Sequence, residues 1–409
     1  LIDGYVKYGS ITEARKVFDD LSLQTIVSVN VLIAGYTEHG HEEEALSYVE
    51  QFMNEYVLLD VITLLCSLKA CRNIVATTKG QGMHVWSVKM GLEKDYDISN
   101  TLIDMYSKCG LLREAQNVLM GMPSRDVFSW TALIMGYAED GHGDNALIGL
   151  EEMQSEGICL DAVTLVCGLT ACSSIKATEN GQKLHKDIIC KGLEQENLVG
   201  NTLIDMYAKF GWLTEVKEVF NKLRDLDVVS WNVLIAGYAS DEDCYEEALE
   251  FFKTMEIEGF SADAITLVSC LIACSNMGSI DKGQGIHAKI VEKGFSDKDA
   301  FIGSTIVNMY TNFGLLLDAQ NVFDKLLERS LVIWNTLIGG YAQLGAYETS
   351  LHIYERMIGE EGIQGDEVTF VSILNACSNA GKIEAGQSFY KSMIEHCCDN
   401  LMVTPEHHA

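Results

Sequence analysis

The sequence predicts an all-α chain, a right-handed α-solenoid of stacked antiparallel helix-turn-helix repeats, and three observations carry that prediction. One phrase recurs four times: VSVNVLIAGYTEHG at 27–40, FSWTALIMGYAEDG at 128–141, VSWNVLIAGYASDE at 229–242 and VIWNTLIGGYAQLG at 332–345. It rotates in fixed order with two further phrases, so that a larger unit recurs at 26–126, 127–227 and 228–330. The chain holds only two prolines, Pro123 and Pro405, so nothing interrupts a helix or marks a domain linker.

The first phrase is a helix. Trp231, Leu234, Ile235 and Tyr238 fall at i, i+3, i+4 and i+7, which lines one face with apolar side chains. A second helix follows in YEEALEFFKTM, where Ala248, Leu249, Phe252 and Met255 form another stripe behind acidic residues suited to a helix N-terminus. Each repeat is therefore a helix hairpin. Glycines mark the turns at Gly40, Gly141 and Gly345 after the first phrase and at Gly110, Gly211 and Gly314 after the second. The third first-phrase turn reads Ser240-Asp241-Glu242-Asp243 instead, one residue longer, and predicts a looser hairpin.

The second phrase runs SNTLIDMYSKCG (99–110), GNTLIDMYAKFG (200–211) and GSTIVNMYTNFG (303–314). The third runs VITLLCSLKAC (61–71), AVTLVCGLTAC (162–172), AITLVSCLIAC (264–274) and EVTFVSILNAC (367–377). A single hairpin cannot bury its apolar face alone, so neighbouring hairpins must stack into one continuous core.

With 409 residues, 48% hydrophobic and 22% charged, the chain has ample material for such a core. It contains no run of eighteen uncharged apolar residues, so no membrane span is expected. It begins at Leu1 inside an amphipathic pattern and without a targeting segment, and so reads as an internal fragment. Thirteen cysteines include no C-x-x-C pair, and Cys397 and Cys398 are the only close ones. Cys71, Cys172, Cys274 and Cys377 recur at one repeat position, as small buried core residues would, in a reducing compartment.

Nothing in the sequence assembles a catalytic, metal or cofactor site. GQGM, GQKL and GQGI before His84, His185 and His287 resemble phosphate loops only superficially, because no strand precedes them and they recur inside a repeat. His41-Glu42-Glu43 supplies half of a zinc-deaminase signature without the cysteine half. No Ser/His/Asp or Cys/His set stands out. An enzymatic role therefore has no support, and neither metal nor cofactor is expected.

These three rotating phrases resemble the pentatricopeptide repeat family, in its subfamily that cycles through P, L and S variants. The resemblance covers nearly the whole chain. It implies one solenoid over 1–402, with a partial S repeat at 1–25 and P repeats at 26–60, 127–161, 228–263 and 331–366. L repeats fall at 61–95, 162–196, 264–299 and 367–402, and S repeats at 96–126, 197–227 and 300–330. Residues 403–409, with Pro405-Glu406-His407-His408-Ala409, resemble the start of a truncated C-terminal extension, whose remainder, and any E or DYW part, is absent from the sequence.

The resemblance implies sequence-selective binding of single-stranded RNA in mitochondria or plastids, about one base per repeat. In that family the fifth and last residues of a P or S repeat read a base edge together. Here those pairs are Asn30 with Asp60, Asn100 with Asp126, Thr131 with Asp161, Asn201 with Asp227, Asn232 with Asp263, Ser304 with Ser330, and Asn335 with Asp366. Asn with Asp implies uracil and Thr with Asp guanine, whereas the two serines match no common combination. The L repeats place Leu65, Val166, Val268 and Val371 at the fifth position, where an apolar side chain cannot read an edge. The second residue flanks the base in this family: Val27, Phe128, Leu198, Val229, Phe301 and Val332, with Asp97 a departure. The implied target is U-N-U-G-N-U-U-N-N-U, pyrimidine-rich with one guanine.

A plainer reading of each Asn or Asp is a helix N-cap, although matched pairs at two fixed repeat positions point beyond capping. Charge pulls against RNA, since 59 acidic residues face 29 Lys and Arg for a formal net charge of −30. The first-helix segments 231–240 and 334–343 carry no acid, while 42–55 carries Glu42, Glu43, Glu44, Glu50 and Glu55, which puts much of the acidity on second helices. Lys108 and Lys209 are expected to add positive charge on first helices. The expected role is an organellar specificity factor for RNA processing or C-to-U editing that recruits an enzyme in trans. The alternative is an acidic scaffold for basic protein segments.

Overall fold

The computed structural model describes residues 1–21, 24–54, 60–295 and 299–391. Among them are 23 bounded helices, a further helical stretch at 383–391, and no strand. The expectations for Glu55, Cys397, Cys398, residues 392–402 and the extension at 403–409 lie outside the described residues. The chain divides into two compact units, Leu1–Phe210 and Gly211–Ala409.

The first unit opens with the hairpin Ile2–Lys7 and Ile11–Asp19. First helices follow at Ile26–Glu38, Val61–Asn73, Tyr96–Lys108, Val127–Glu139, Ala162–Ile175 and Asn197–Phe210, with second helices Glu42–Asn54, Thr77–Lys89, Leu112–Gly121, Gly143–Ser155 and Thr178–Lys191 between them. The second unit starts at Leu213–Lys222. Its first helices are Val228–Ala239, Ala264–Asn276, Ala300–Asn312, Leu331–Gln343 and Glu367–Asn379, and its second helices Tyr245–Ile257, Ile280–Glu292, Leu316–Phe323 and Tyr347–Glu361. Within each unit every first helix packs on the next first helix, and second helices lie against first helices. Two layers of helices result, which is how stacked hairpins bury faces that one hairpin leaves open.

The helical stripes read from the sequence are buried: Trp231, Leu234, Ile235 and Tyr238 on one helix, and Ala248, Leu249, Phe252 and Met255 on its partner. The turn 240–244 is held by the Asp241 carboxylate accepting from the Asp243 N–H at 3.1 Å. Tyr238 meets Phe251 edge-on at 4.8 Å across the same hairpin, so the longer turn does not loosen it. Gly141 and Gly314 sit at φ of 77° and 73°, where a Cβ would be strained, and this explains glycine after a first helix.

Cys71, Cys172, Cys274 and Cys377 are all buried, as their recurrence requires. Burial pushes the Cys71 and Cys172 thiols up to about 12, so neither is a nucleophile near neutral pH. The GQ tetrapeptides are packing devices. A Cβ on Gly80, Gly181 or Gly283 would lie 2.6, 2.7 or 2.6 Å from the Sδ of Met105, Met206 or Met309. Four residues on, His84, His185 and His287 hydrogen-bond through Nδ1 to the hydroxyls of Tyr106, Tyr207 and Tyr310 at 2.8, 2.6 and 2.9 Å. The glycine admits the next first helix, and the histidine fixes its register.

Candidate nucleic-acid interface

The site begins at the helix starts. Asp60, Asp126, Asp161, Asp227, Asp263 and Asp366 each stand in extended conformation just before a first helix, and each carboxylate accepts from the backbone N–H three residues on. This satisfies a donor that a helix N-terminus otherwise leaves open. The capping reading of these aspartates is therefore correct. Capping uses only part of each carboxylate, and in Asp60, Asp263 and Asp366 the fifth-residue side chain of the preceding hairpin takes up more.

Asn30 Nδ2 donates to both Asp60 oxygens at 2.9 and 2.8 Å. Asn232 donates to Asp263 and Asn335 to Asp366, each at 2.9 Å. These amides are only 6%, 5% and 8% exposed. A buried amide needs its bonding capacity met, and here a third residue meets the rest. Thr63 donates its hydroxyl proton to Asn30 Oδ1, Thr266 to Asn232 Oδ1 at 2.5 Å, and Thr369 to Asn335 Oδ1 at 2.6 Å. Each threonine sits at the third position of the next first helix. The sequence reading passed over them, although DVIT, DAVT, DAIT and DEVT at 60, 161, 263 and 366 repeat one D-x-x-T pattern.

Thr131 does not meet Asp161 directly. Its hydroxyl lies 2.7 Å from that of Thr164, which donates to Asp161 Oδ1 at 2.6 Å. Asn100 and Asp126 share no direct hydrogen bond among the described residues, and the hydroxyl of Tyr96, on the same helix as Asn100, donates to Asp126 instead. The Ser129 hydroxyl donates back to the Asp126 carbonyl at 2.9 Å, and Asn100 Oδ1 is buried without a partner among the described residues. Ser304 donates to its own helix at Phe301 O, 2.9 Å away, and Ser330 caps no backbone N–H. No hydrogen bond joins those two among the described residues. Asn201 belongs to the first unit and Asp227 to the second, where Asp227 accepts from Ser230 N–H at 2.8 Å.

Burial opposes ionisation of Asp60, but the Thr63 N–H, the Asn30 amide and the Thr63 hydroxyl outweigh it and hold the carboxyl below its ordinary value. In Asp366, burial is likewise outweighed by Thr369 and Asn335. In Asp126 the Tyr96 hydroxyl leads the bonds that overcome burial. These carboxylates stay charged and accept only.

Beside every polar set but that of Asn100, where Asp97 stands, an exposed apolar side chain occupies the second helical position. Val27, Phe128, Leu198, Val229, Phe301 and Val332 are all exposed, Phe128 by 75%. Ile62, Val163, Ile265 and Val368 occupy the same position in the intervening hairpins and are exposed too, which the sequence reading did not single out. Leu65 and Val166 are half-buried, Val268 is buried and Val371 exposed, so the fifth positions between the polar sets are apolar. A large apolar side chain held in water at these ten helix starts suits a flat aromatic ring, and Asp97 takes that place on the helix Tyr96–Lys108.

The cations behave differently from expectation. Lys108 is paired with Glu139 at 2.9 Å and Lys209 with Asp205 at 2.8 Å, so neither presents an unpaired charge. Arg72 pairs with Asp104, Arg125 with Glu156 and Arg329 with Glu361. In a chain with a twofold excess of acid, local carboxylates pair with these five cations. Among the described residues no three His, Cys, Asp or Glu side chains converge as metal ligands would, and no helix is long and apolar enough to cross a membrane.

Comparison with known proteins fits this architecture. A PPR repeat model matches residues 1–23, 27–56, 98–127, 128–158, 201–228, 332–361 and 368–398, and a PPR repeat family model matches 226–276. The chain is 35% identical over its full length to DOT4, a chloroplastic pentatricopeptide repeat-containing protein of Arabidopsis thaliana, covering 46% of it. It is 33% identical over 95% of its length to a mitochondrial one from the same plant, covering 38%. The chain thus spans about half the length, or less, of these curated relatives. The crystal structure of maize PPR10 in complex with an 18-nucleotide psaJ RNA element superposes with a TM-score of 0.73 at 18% identity, over 97% of this chain and 60% of that one. The superposition shows a shared α-solenoid fold, and with repeat models matching in both units and a relative aligned along the whole of this chain, the chain belongs to the PPR repeat family.

Proposed function

We propose that this chain binds single-stranded RNA sequence-selectively, reading bases with the fifth-residue and last-residue pairs and flanking them with the exposed second residues. The observation that carries the reading is the repeated set of a buried amide or hydroxyl, a carboxylate and an exposed apolar side chain at Asn30, Thr131, Asn232 and Asn335. Such a set offers hydrogen bonds to a base edge and an apolar wall to its face. The PPR10 complex shows a protein of this fold holding RNA. The repeats follow the P, L and S cycle, with boundaries as given above, and Asn with Asp selects uracil while Thr131 with Asp161 selects guanine. The organelle names of the relatives support action in a plastid or mitochondrion, as a specificity factor that brings an RNA-editing or processing enzyme to its site.

The net charge of −30 and the paired cations favour a second reading, a scaffold for Lys- and Arg-rich protein segments. The decisive measurement is binding of the purified chain to RNA carrying U-N-U-G-N-U-U-N-N-U beside a scrambled RNA. RNA reading predicts preference for the first, and a shift of preference from guanine to uracil at the fourth base in Thr131→Asn. Equal or absent binding to both RNAs would overturn it in favour of the scaffold.

A further inference from the structure

We infer that Thr63, Thr164, Thr266 and Thr369 are positioning residues that fix the hydrogen-bonding sense of the reading side chain, and so decide which base edge a slot accepts. The inference rests on the RNA reading proposed above and adds to each slot a third residue, drawn from the next hairpin.

The argument is clearest at Thr131. The Thr164 hydroxyl has one proton and two neighbours, Asp161 Oδ1 at 2.6 Å and Thr131 Oγ1 at 2.7 Å. A charged acceptor takes the proton, so Thr164 donates to Asp161 and must accept from Thr131. Thr131 has then spent its only proton and can turn only lone pairs outward. A reading group that solely accepts, beside a carboxylate that solely accepts, matches an edge carrying adjacent donors. Guanine offers ring N1–H beside its exocyclic amine, whereas adenine sets one amine beside an acceptor nitrogen. Without the Thr164 hydroxyl, Thr131 regains a donor and the distinction weakens.

In the asparagine slots the same threonine acts with opposite sign. Thr266 and Thr369 lie closer to the amide oxygen, at 2.5 and 2.6 Å, than to the carboxylate, at 3.0 and 2.9 Å. Their proton therefore pins Oδ1, while the aspartate pins Nδ2, and the amide cannot flip. An amide free to flip offers donor and acceptor in either order. Uracil and cytosine differ at their pairing edges by that order, so a pinned amide discriminates where a free one does not. Where the third residue is Ser129 or Ile333, no such bond forms, and Asn100 Oδ1 is left without a partner while Ser304 bonds its own helix. Base selectivity is therefore sharper in the slots of Asn30, Thr131, Asn232 and Asn335 than in those of Asn100 and Ser304.

The test compares the full chain with Thr164→Val, Thr164→Ser and Thr63→Val, using RNA with guanine or adenine at the fourth base and helical content checked by circular dichroism. The wild type is expected to prefer guanine by about fivefold or more. Thr164→Val should bring that ratio close to one, Thr164→Ser should restore it by keeping the hydroxyl, and Thr63→Val should leave it unchanged because it serves another slot. An unchanged ratio in Thr164→Val would overturn the inference, as would equal loss in Thr164→Val and Thr164→Ser, or equal loss in Thr63→Val. A wild type without any preference at that base would instead remove the RNA reading itself.

Discussion

The amide of Asn335 donates to the carboxylate of Asp366 at 2.9 Å although 31 residues separate them in sequence. That one carboxylate also caps the helix Glu367–Asn379. Replacing it therefore has two separable costs. Asp366→Ala is expected to lose about 1 kcal/mol for the cap and a further roughly 1 kcal/mol or more for leaving a buried amide unpaired. Asp366→Asn retains a capping oxygen and should lose less. Urea denaturation of the two variants checks the order, and an Ala variant as stable as Asn would refute it.

The depressed carboxyl values of Asp60 and Asp366 fix the sign of the pH dependence. A group more acidic when folded than when unfolded stabilises the fold above its unfolded value, and loses that contribution as pH falls through the folded one. The contribution of these two carboxylates is thus full near neutrality and disappears below their ordinary value of 3.8. Thermal melts from pH 7 down to pH 2.5 should show the wild type losing its advantage over a Asp60→Asn, Asp366→Asn double variant only in that acid range. A constant gap across the series would contradict it.

Packing makes a third prediction, at Gly136. A Cβ there would lie 2.6 Å from the Cβ of Ser107 on the preceding first helix, and neither atom is the end of a flexible chain. Gly136→Ala must push two first helices apart, with an expected loss of about 1–3 kcal/mol. Gly82→Ala is the control, because a Cβ there meets nothing within 4 Å and alanine favours a helix. Chemical denaturation should find the first variant weakened and the second at least as stable as the wild type.

Salt dependence reports on the cations. With Lys108 held by Glu139 and Lys209 by Asp205, these two lysines are not free to release counterions from RNA. Binding measured from low to moderate salt should give a log–log slope shallower than about −2, equivalent to fewer than about three neutralised phosphates. Glu139→Gln frees Lys108 and should steepen the slope. A steep wild-type slope would show that cations other than these two engage the phosphates.

Much of this molecule was legible before any coordinate. The three phrases located the first helices, the glycines located most turns, and the recurring cysteines marked buried positions, because each depends on local periodicity or backbone conformation. The aspartates could be read as caps for the same reason, since a cap and its N–H lie within one turn. The third members of the site were not read, although D-x-x-T stood in the sequence four times. Thr63 meets Asn30 from 33 residues away, on a different helix, and its local pattern is fully explained by the start of its own helix. The fate of Lys108 was misjudged for a related reason: its partner Glu139 lies 31 residues on, beside it only because two first helices pack together.

Sequence alone determined the repeat, the helix pairs and the residue types offered at each helix start, because these follow from hydrophobic spacing and short-range hydrogen bonding. Tertiary structure alone decided which of those residues act together. Lateral packing of one hairpin on the next brings Asn30, Asp60 and Thr63 within bonding distance, and at Asp126 it brings the Tyr96 hydroxyl in place of Asn100. The period of a helix records which face is buried, and the register between neighbouring helices, set by side-chain volume such as that of Met105 against Gly80, records which atoms meet.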